Sequence, residues 1–220
     1  MISCYDLTIP GAEATGPLLE EVSFEIGDAE WVEFVGPSGA GKSILYAVLA
    51  LEARPSEGRL VVAGRNLSRV DESGLVELRR EFGSCRQSPD LLESRTVVEN
   101  LVVPLVVRGK TTQASSAADR VLERVDLAEM RDVPVARLST GHRRAVALLR
   151  ATMGRPRAIV IDGTLEGLDH KLFEAARAAL HRSHDQGSAI VLFGREPSEN
   201  APVDRCVYRL EGGTLDEGTE

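Results

Sequence analysis

Three glycines, a lysine and two serines fall within Gly36-Pro37-Ser38-Gly39-Ala40-Gly41-Lys42-Ser43. Glycines at this spacing let the backbone curl until successive amide N–H groups point at one phosphate, and a helix starting just after them adds the positive end of its dipole. Lys42 is then placed to reach the β and γ phosphates of a nucleotide, and the Ser43 hydroxyl to ligate the Mg²⁺ that the nucleotide carries. A simple glycine turn before a helix would explain the glycines, but it gives no reason for the Lys-Ser pair.

A second candidate is Asp162, at the end of the apolar run Ala158-Ile159-Val160-Ile161. A carboxylate at a strand end beside a phosphate loop holds Mg²⁺ through water; the alternative is a plain strand-end aspartate. His181 and His184 stand at i, i+3 on an expected helix, a spacing that suits either a weak metal site or a solvated face, and no third ligand is near in sequence. Cys4, Cys85 and Cys206 are odd in number, far apart and form no C-x-x-C, which argues against a disulfide framework or zinc site and for a reducing compartment.

These residues need elements to position them. Trp31 to Val35 predicts the strand that feeds the loop, and Ile44 to Leu49 the helix that leaves it. Ile2 to Thr8 and Leu19 to Ile26 predict strands joined by a loop over Pro10 to Pro17, and Arg59 to Gly64 a short strand running into a turn. Asp71 to Arg80 predicts a charged helix and Phe82 to Cys85 a short strand. From Thr96 the pattern becomes helical, with Ala118, Val121, Leu122 and Val125 at i, i+3, i+4, i+7. The segment from about residue 89 to about residue 138 thus reads as a helical subdomain set into one α/β domain spanning 1–220.

Ala158 to Ile161 and Ala189 to Phe193 predict buried strands on either side of a helix whose apolar face is Leu172, Phe173, Ala176, Ala179 and Leu180. That order implies a parallel sheet. Arg205 to Leu210, then Gly212-Gly213 and an acidic end, predicts one edge strand, a turn and a frayed terminus.

Composition narrows the classes. A chain of 220 residues can bury an ample single core. Its net charge of −8, with Lys and Arg scattered, argues against a nucleic-acid surface. The opening residues lack a signal pattern, and Leu101-Val102-Val103-Pro104-Leu105-Val106-Val107 is too short to span a bilayer, so any membrane span is expected from a partner.

Between the loop and Asp162 lie Gln87 and Leu138-Ser139-Thr140-Gly141-His142, and beyond them Gly167-Leu168-Asp169. In this order the motifs resemble those of ABC-type ATP-binding subunits over nearly the whole chain: Walker A, Q-loop, LSGGQ signature, Walker B and D-loop. The resemblance implies a P-loop NTPase fold of α/β class, with a mainly parallel core sheet, an N-terminal antiparallel portion and an inserted helical subdomain. It implies ATP and Mg²⁺ as cofactors, with Ser43, Gln87 and Asp162 near the metal. It also implies a head-to-tail dimer with a second copy or a second ABC subunit, in which Ser139, Thr140, Gly141 and His142 contact ATP across the interface and Asp169 marks the D-loop. Length and the middle segment are most similar to the FtsE, LolD and MacB branch, which implies an FtsX/LolC-like permease as partner and a cytoplasmic location on the inner face of the cell membrane.

Several positions depart from that pattern. Thr140 replaces a glycine, His142 a Gln or Glu, and Ala145 stands where arginine is common; apart from the other motifs, LSTGH also reads as a helix N-cap. Gly163 follows Asp162 where the family has the glutamate that orients the attacking water. Losing a positioned base costs roughly 10²- to 10⁴-fold in rate. Arg195 stands where the family has a histidine touching the γ-phosphate, as a permanent cation at the γ-phosphate or as a surface arginine. Ile9-Pro10-Gly11 lacks the aromatic that stacks on adenine, with Tyr5 nearby but within the strand. Glu166 is a possible substitute base, though its place on the turn toward the D-loop points it at an opposing subunit or solvent. The resulting expectation is a subunit that binds Mg-ATP, dimerises and hydrolyses weakly or not at all. The alternatives are an active ATPase in a heterodimer with a complete subunit, and a scaffold independent of nucleotide.

Overall fold

The computed structural model describes residues 1–10, 18–163, 165, 167–199 and 201–218. In chain order the strands are β1 (Ile2–Ile9), β2 (Leu19–Ile26), β3 (Trp31–Val35), β4 (Glu57–Val62), β5 (Arg65–Asn66), β6 (Phe82–Cys85), β7 (Ala158–Asp162), β8 (Ala189–Gly194), β9 (Cys206–Glu211) and β10 (Thr214–Gly218). The helices are α1 (Lys42–Leu49), α2 (Glu72–Glu81), α3 (Val97–Val107), α4 (Ala114–Arg124), α5 (Thr140–Thr152) and α6 (His170–Asp185). The chain forms two compact units, one of Met1–Arg79 with Ala189–Glu220, the other of Arg80–Ser188.

The first unit carries an antiparallel sheet of order β2-β1-β4-β5. β2 alternates as a half-buried strand should: Leu19, Val22, Phe24 and Ile26 are buried, with Ser23 and Glu25 exposed between the last three. The break in alternation is a bulge at Glu21, whose φ is +48°, and it matches the register shift between Leu7↔Val22 and Ile9↔Leu19. The loop expected over Pro10 to Pro17 lies outside the described residues from Gly11 onward.

The same unit holds β3 between two parallel neighbours, β8 (Trp31↔Ile190) and β9 (Val32↔Cys206). All five residues of β3 are buried, as in a strand covered on both faces. Phe34 stacks on Phe193 at 5.1 Å and on Tyr208 at 5.3 Å, and meets Phe24 edge-on at 5.0 Å, so aromatic packing fixes the strand that delivers the loop. The buried carboxylate of Glu33 accepts from Trp31 Nε1 at 3.1 Å and from the Ser198 backbone N–H at 2.7 Å, which offsets its desolvation.

The C-terminal segment differs from its expectation. β9 is not an edge strand: it lies between β3 and β10, and Thr214–Gly218 pairs with it antiparallel instead of fraying. Gly212 and Gly213 both take positive φ, +58° and +89°, so the two-residue turn matches the strand twist and closes a hairpin.

In the second unit β6 and β7 pair in parallel, Phe82↔Ala158 to Cys85↔Ile161. Gly83 is required there, because a Cβ would fall 2.0 Å from the Ala151 carbonyl oxygen of α5. α3 starts from a capping box in which Glu99 N–H donates to Thr96 Oγ1 at 3.3 Å and Thr96 N–H to Glu99 Oε2 at 2.8 Å. The buried Asn100 ties the preceding loop down by accepting from Leu92 N–H at 2.8 Å and donating to the Leu92 carbonyl at 3.2 Å. The segment 89–138 lies within this unit, which also holds β6, α5, β7 and α6. Among the described residues no helix is long and apolar enough to cross a membrane.

Candidate phosphate-binding site

Gly36 to Ser43 leaves β3 and enters α1 as the sequence predicts, and its three glycines answer to three different constraints. A Cβ at Gly36 would lie 2.1 Å from the Leu210 carbonyl oxygen, so this residue lets the loop pass against β9. Gly41 caps α1 at φ +99°, and a Cβ there would lie 2.7 Å from Leu18 O and 2.8 Å from Leu19 Cδ2. Gly39 has φ +85° with no atom within 4 Å of a Cβ position, so backbone conformation alone selects it.

The loop is strapped from inside. Lys42 Nζ donates to the carbonyls of Gly36 at 2.6 Å and Pro37 at 2.7 Å. Ser38, Gly39 and Ser43 are exposed, and the first turn of α1 carries no acidic residue to neutralise its positive end. An exposed loop with positive φ at Gly39 and Gly41, an ammonium across it and a helix N-terminus behind it fits a phosphate chain. The hydroxyl of Ser43 suits its Mg²⁺.

Beside this loop is a cleft of about 460 Å³ lined by Gly36, Pro37, Ser38, Arg195, Glu196, Arg209 and Glu211. Arg195, just past β8, therefore stands at the first half of the loop. No sequence motif points to Arg209. Its signal is register: β9 pairs in parallel with β3 so that Arg209 lies opposite Val35, the residue before Gly36. Tyr5 is committed elsewhere, its ring under the Arg59 guanidinium at 4.4 Å and its hydroxyl bonded to Glu25 Oε1 at 3.2 Å.

In the second unit Asp162 ends β7, and Gly163 follows at φ +55°. A Cβ at Gly163 would lie 3.7 Å from Gln87 Cγ and Cδ, so the structure brings Gln87 and Gly163 side by side. Ser139 is the N-cap of α5: its Oγ accepts from His142 N–H at 3.3 Å and lies 2.8 Å from His142 Nδ1. Thr140, Gly141 and His142 form the first turn. Gly141 allows α6 to approach, because a Cβ there would be 3.3 Å from Leu172 Cδ1. Asp169 caps α6 by accepting from Leu172 N–H at 2.8 Å. Ala145 is buried.

Arg143 anchors the start of α5 to the segment after Gln87. Both its terminal nitrogens donate to Glu93, Nη1 at 2.7 Å, and the pair holds the Glu93 carboxyl below and the Arg143 guanidinium above their ordinary values. Glu166 lies outside the described residues. His181 and His184 lie on α6, and among the described residues no cluster of three or more His, Cys, Asp or Glu could hold a metal ion.

A family model described as "ABC transporter" matches residues 19–166. The chain belongs to the ABC transporter family. Among curated ABC relatives, the methionine import ATP-binding protein MetN of Cupriavidus metallidurans is 34% identical over 210 residues, 94% of this chain and 61% of that protein. The macrolide export ATP-binding/permease protein MacB of Salmonella choleraesuis is 32% identical over 205 residues, 92% of this chain and 32% of that protein. The chain thus spans under two thirds of the length of either relative. Among solved structures, the ABC cassette MJ0796, a dimer bound to ADP and Pi, superposes with a TM-score of 0.88 at 23% identity, covering 100% of this chain and 98% of that one. A nucleotide-free cassette from an ABC transporter gives 0.76 at 22%. At these identities the likeness shows the ABC ATPase fold.

Proposed function

We propose that this chain is the ATP-binding subunit of an ABC-type membrane complex of the FtsE, LolD and MacB branch, and that it holds Mg-ATP and dimerises while hydrolysing it weakly or not at all. The observation that carries this reading is a contrast. The phosphate loop keeps every demanding position, with Lys42 strapped across Gly36 and Pro37, whereas Gly163 occupies the place of the glutamate in a left-handed conformation next to Gln87. A glycine orients no water.

In this reading the loop amides and Lys42 hold the phosphates, while Ser43, Gln87 and Asp162 hold the Mg²⁺, which when bound supplies charge neutralisation to the phosphate oxygens. Arg195 faces the phosphates as a permanent cation. The Ser139 to His142 turn, at the exposed start of a helix, is suited to meet the nucleotide of an opposing copy or of a second ABC subunit, with Asp169 beside that interface. The membrane partner is an FtsX/LolC-like permease, and the subunit works from the cytoplasmic face of the membrane.

ATP binding and turnover measured on one preparation test the proposal. Tight Mg-ATP binding lost on Lys42→Ala, with turnover at least ~10²-fold below that of an ABC subunit retaining the glutamate, is expected. Turnover at the rate of such a subunit, abolished by Lys42→Ala, refutes the weak-hydrolysis reading. Wild-type protein that binds no ATP refutes the whole proposal.

A further inference from the structure

We infer that Arg209 is a second phosphate-side residue of the cleft at the loop, and that with Arg195 it forms a guanidinium pair that grips the terminal phosphate of a nucleoside triphosphate. This rests on the nucleotide-holding reading and adds a residue and a selectivity to it.

The two arginines arrive from different strands, Arg195 after β8 and Arg209 on β9, and both line the cleft that Gly36, Pro37 and Ser38 bound on the loop side. β8 and β9 flank β3, with Val35 opposite Gly194 in one pairing and Arg209 in the other, so the pair brackets the point where the chain turns from strand to loop. Position on β9 explains why Arg209 is available. Val207, Tyr208 and Leu210 are buried, and Arg209 is exposed as the strand emerges.

Charge decides what the cleft prefers. Neither Arg195 nor Arg209 forms a salt bridge with a carboxylate of the described residues, although Glu196 and Glu211 line the same cleft. The two guanidinium groups offset the two carboxylates that line the cleft, so removing either arginine lowers its attraction for phosphate. A terminal phosphate reaching both forks gains charge-assisted hydrogen bonds. A diphosphate, shorter by one group, leaves the loop amides satisfied and gains less from the pair.

The test is binding of Mg-ATP and Mg-ADP, by calorimetry, to wild type, Arg209→Ala, Arg209→Lys and Arg69→Ala, the last an exposed arginine of the same unit outside the cleft. Arg209→Ala is expected to weaken Mg-ATP roughly 5- to 20-fold and Mg-ADP less than about 2-fold. Arg209→Lys should recover part of the loss, because charge returns without the fork, and Arg69→Ala should change neither affinity. Equal weakening of both nucleotides, or no change in either, overturns the inference while leaving the nucleotide-holding reading intact. Wild-type protein that binds neither nucleotide overturns both. Melting curves of the variants, expected to match wild type at so exposed a site, exclude misfolding as the cause.

Discussion

Substitution of Gly163 separates two demands made on one position, backbone conformation and chemistry. Its φ is +55°, a region that costs an L residue ~1–2 kcal/mol. Space is not limiting, because a Cβ would meet Gln87 only at 3.7 Å. Reduced freedom of the unfolded chain returns about 0.4–1 kcal/mol, which leaves a net loss of about 1 kcal/mol for Gly163→Ala. In a chain of 220 residues that lowers Tm by about 2–4 °C. Gly163→Glu carries the same backbone cost and adds the missing carboxylate. Thermal melts and steady-state ATP turnover, run on both variants, should then diverge: similar Tm losses, unchanged turnover for Gly163→Ala, and a rise of at least ~10-fold for Gly163→Glu. Gly163→Ala as stable as wild type would refute the conformational argument. Gly163→Glu no faster than Gly163→Ala would refute the claim that an absent base limits hydrolysis.

The loop glycines differ in kind. Gly36→Ala, with its Cβ 2.1 Å from a backbone oxygen of β9, should lose at least ~2 kcal/mol in urea unfolding, against about 1 kcal/mol for Gly39→Ala, which meets nothing. Ser139→Ala removes the cap of α5 and should cost about 1 kcal/mol by the same measurement, with Ser139→Asp recovering most of it. The Glu93–Arg143 pair gives an acid dependence. Hydrogen bonding to Arg143 lowers the folded-state pKa of Glu93 below its ordinary 4.5, so the contribution is complete above that value and is lost as pH falls through the folded one. The Tm difference between wild type and Glu93→Gln should therefore be constant near neutrality and close on acidification.

Features encoded over a few consecutive residues are legible in the chain. β2, β3 and β6 fall within the expected bounds because apolar runs and alternation report burial directly. The loop is legible because glycine, lysine and serine at fixed spacing answer to one local geometry. Ser139 illustrates a motif with two meanings. Its cap on α5 is visible in the structure, and the same cap leaves backbone N–H groups at an exposed helix start, which is what the signature reading requires.

What sequence does not carry is pairing across distance. Gly212-Gly213 reads as a turn in any context, but whether a strand follows depends on β9 lying inside the sheet, which only its parallel register with β3 decides. A charged residue on an edge strand has an ordinary solvent role, so Arg209 carries no signal if β9 is taken as an edge. Once β9 lies against β3, the same arginine stands opposite Val35 and at the mouth of the loop. Gly163 and Arg195 are legible from residue type at their motif positions. A cation on a neighbouring strand belongs to no motif and becomes visible only through the pairing that brings it there.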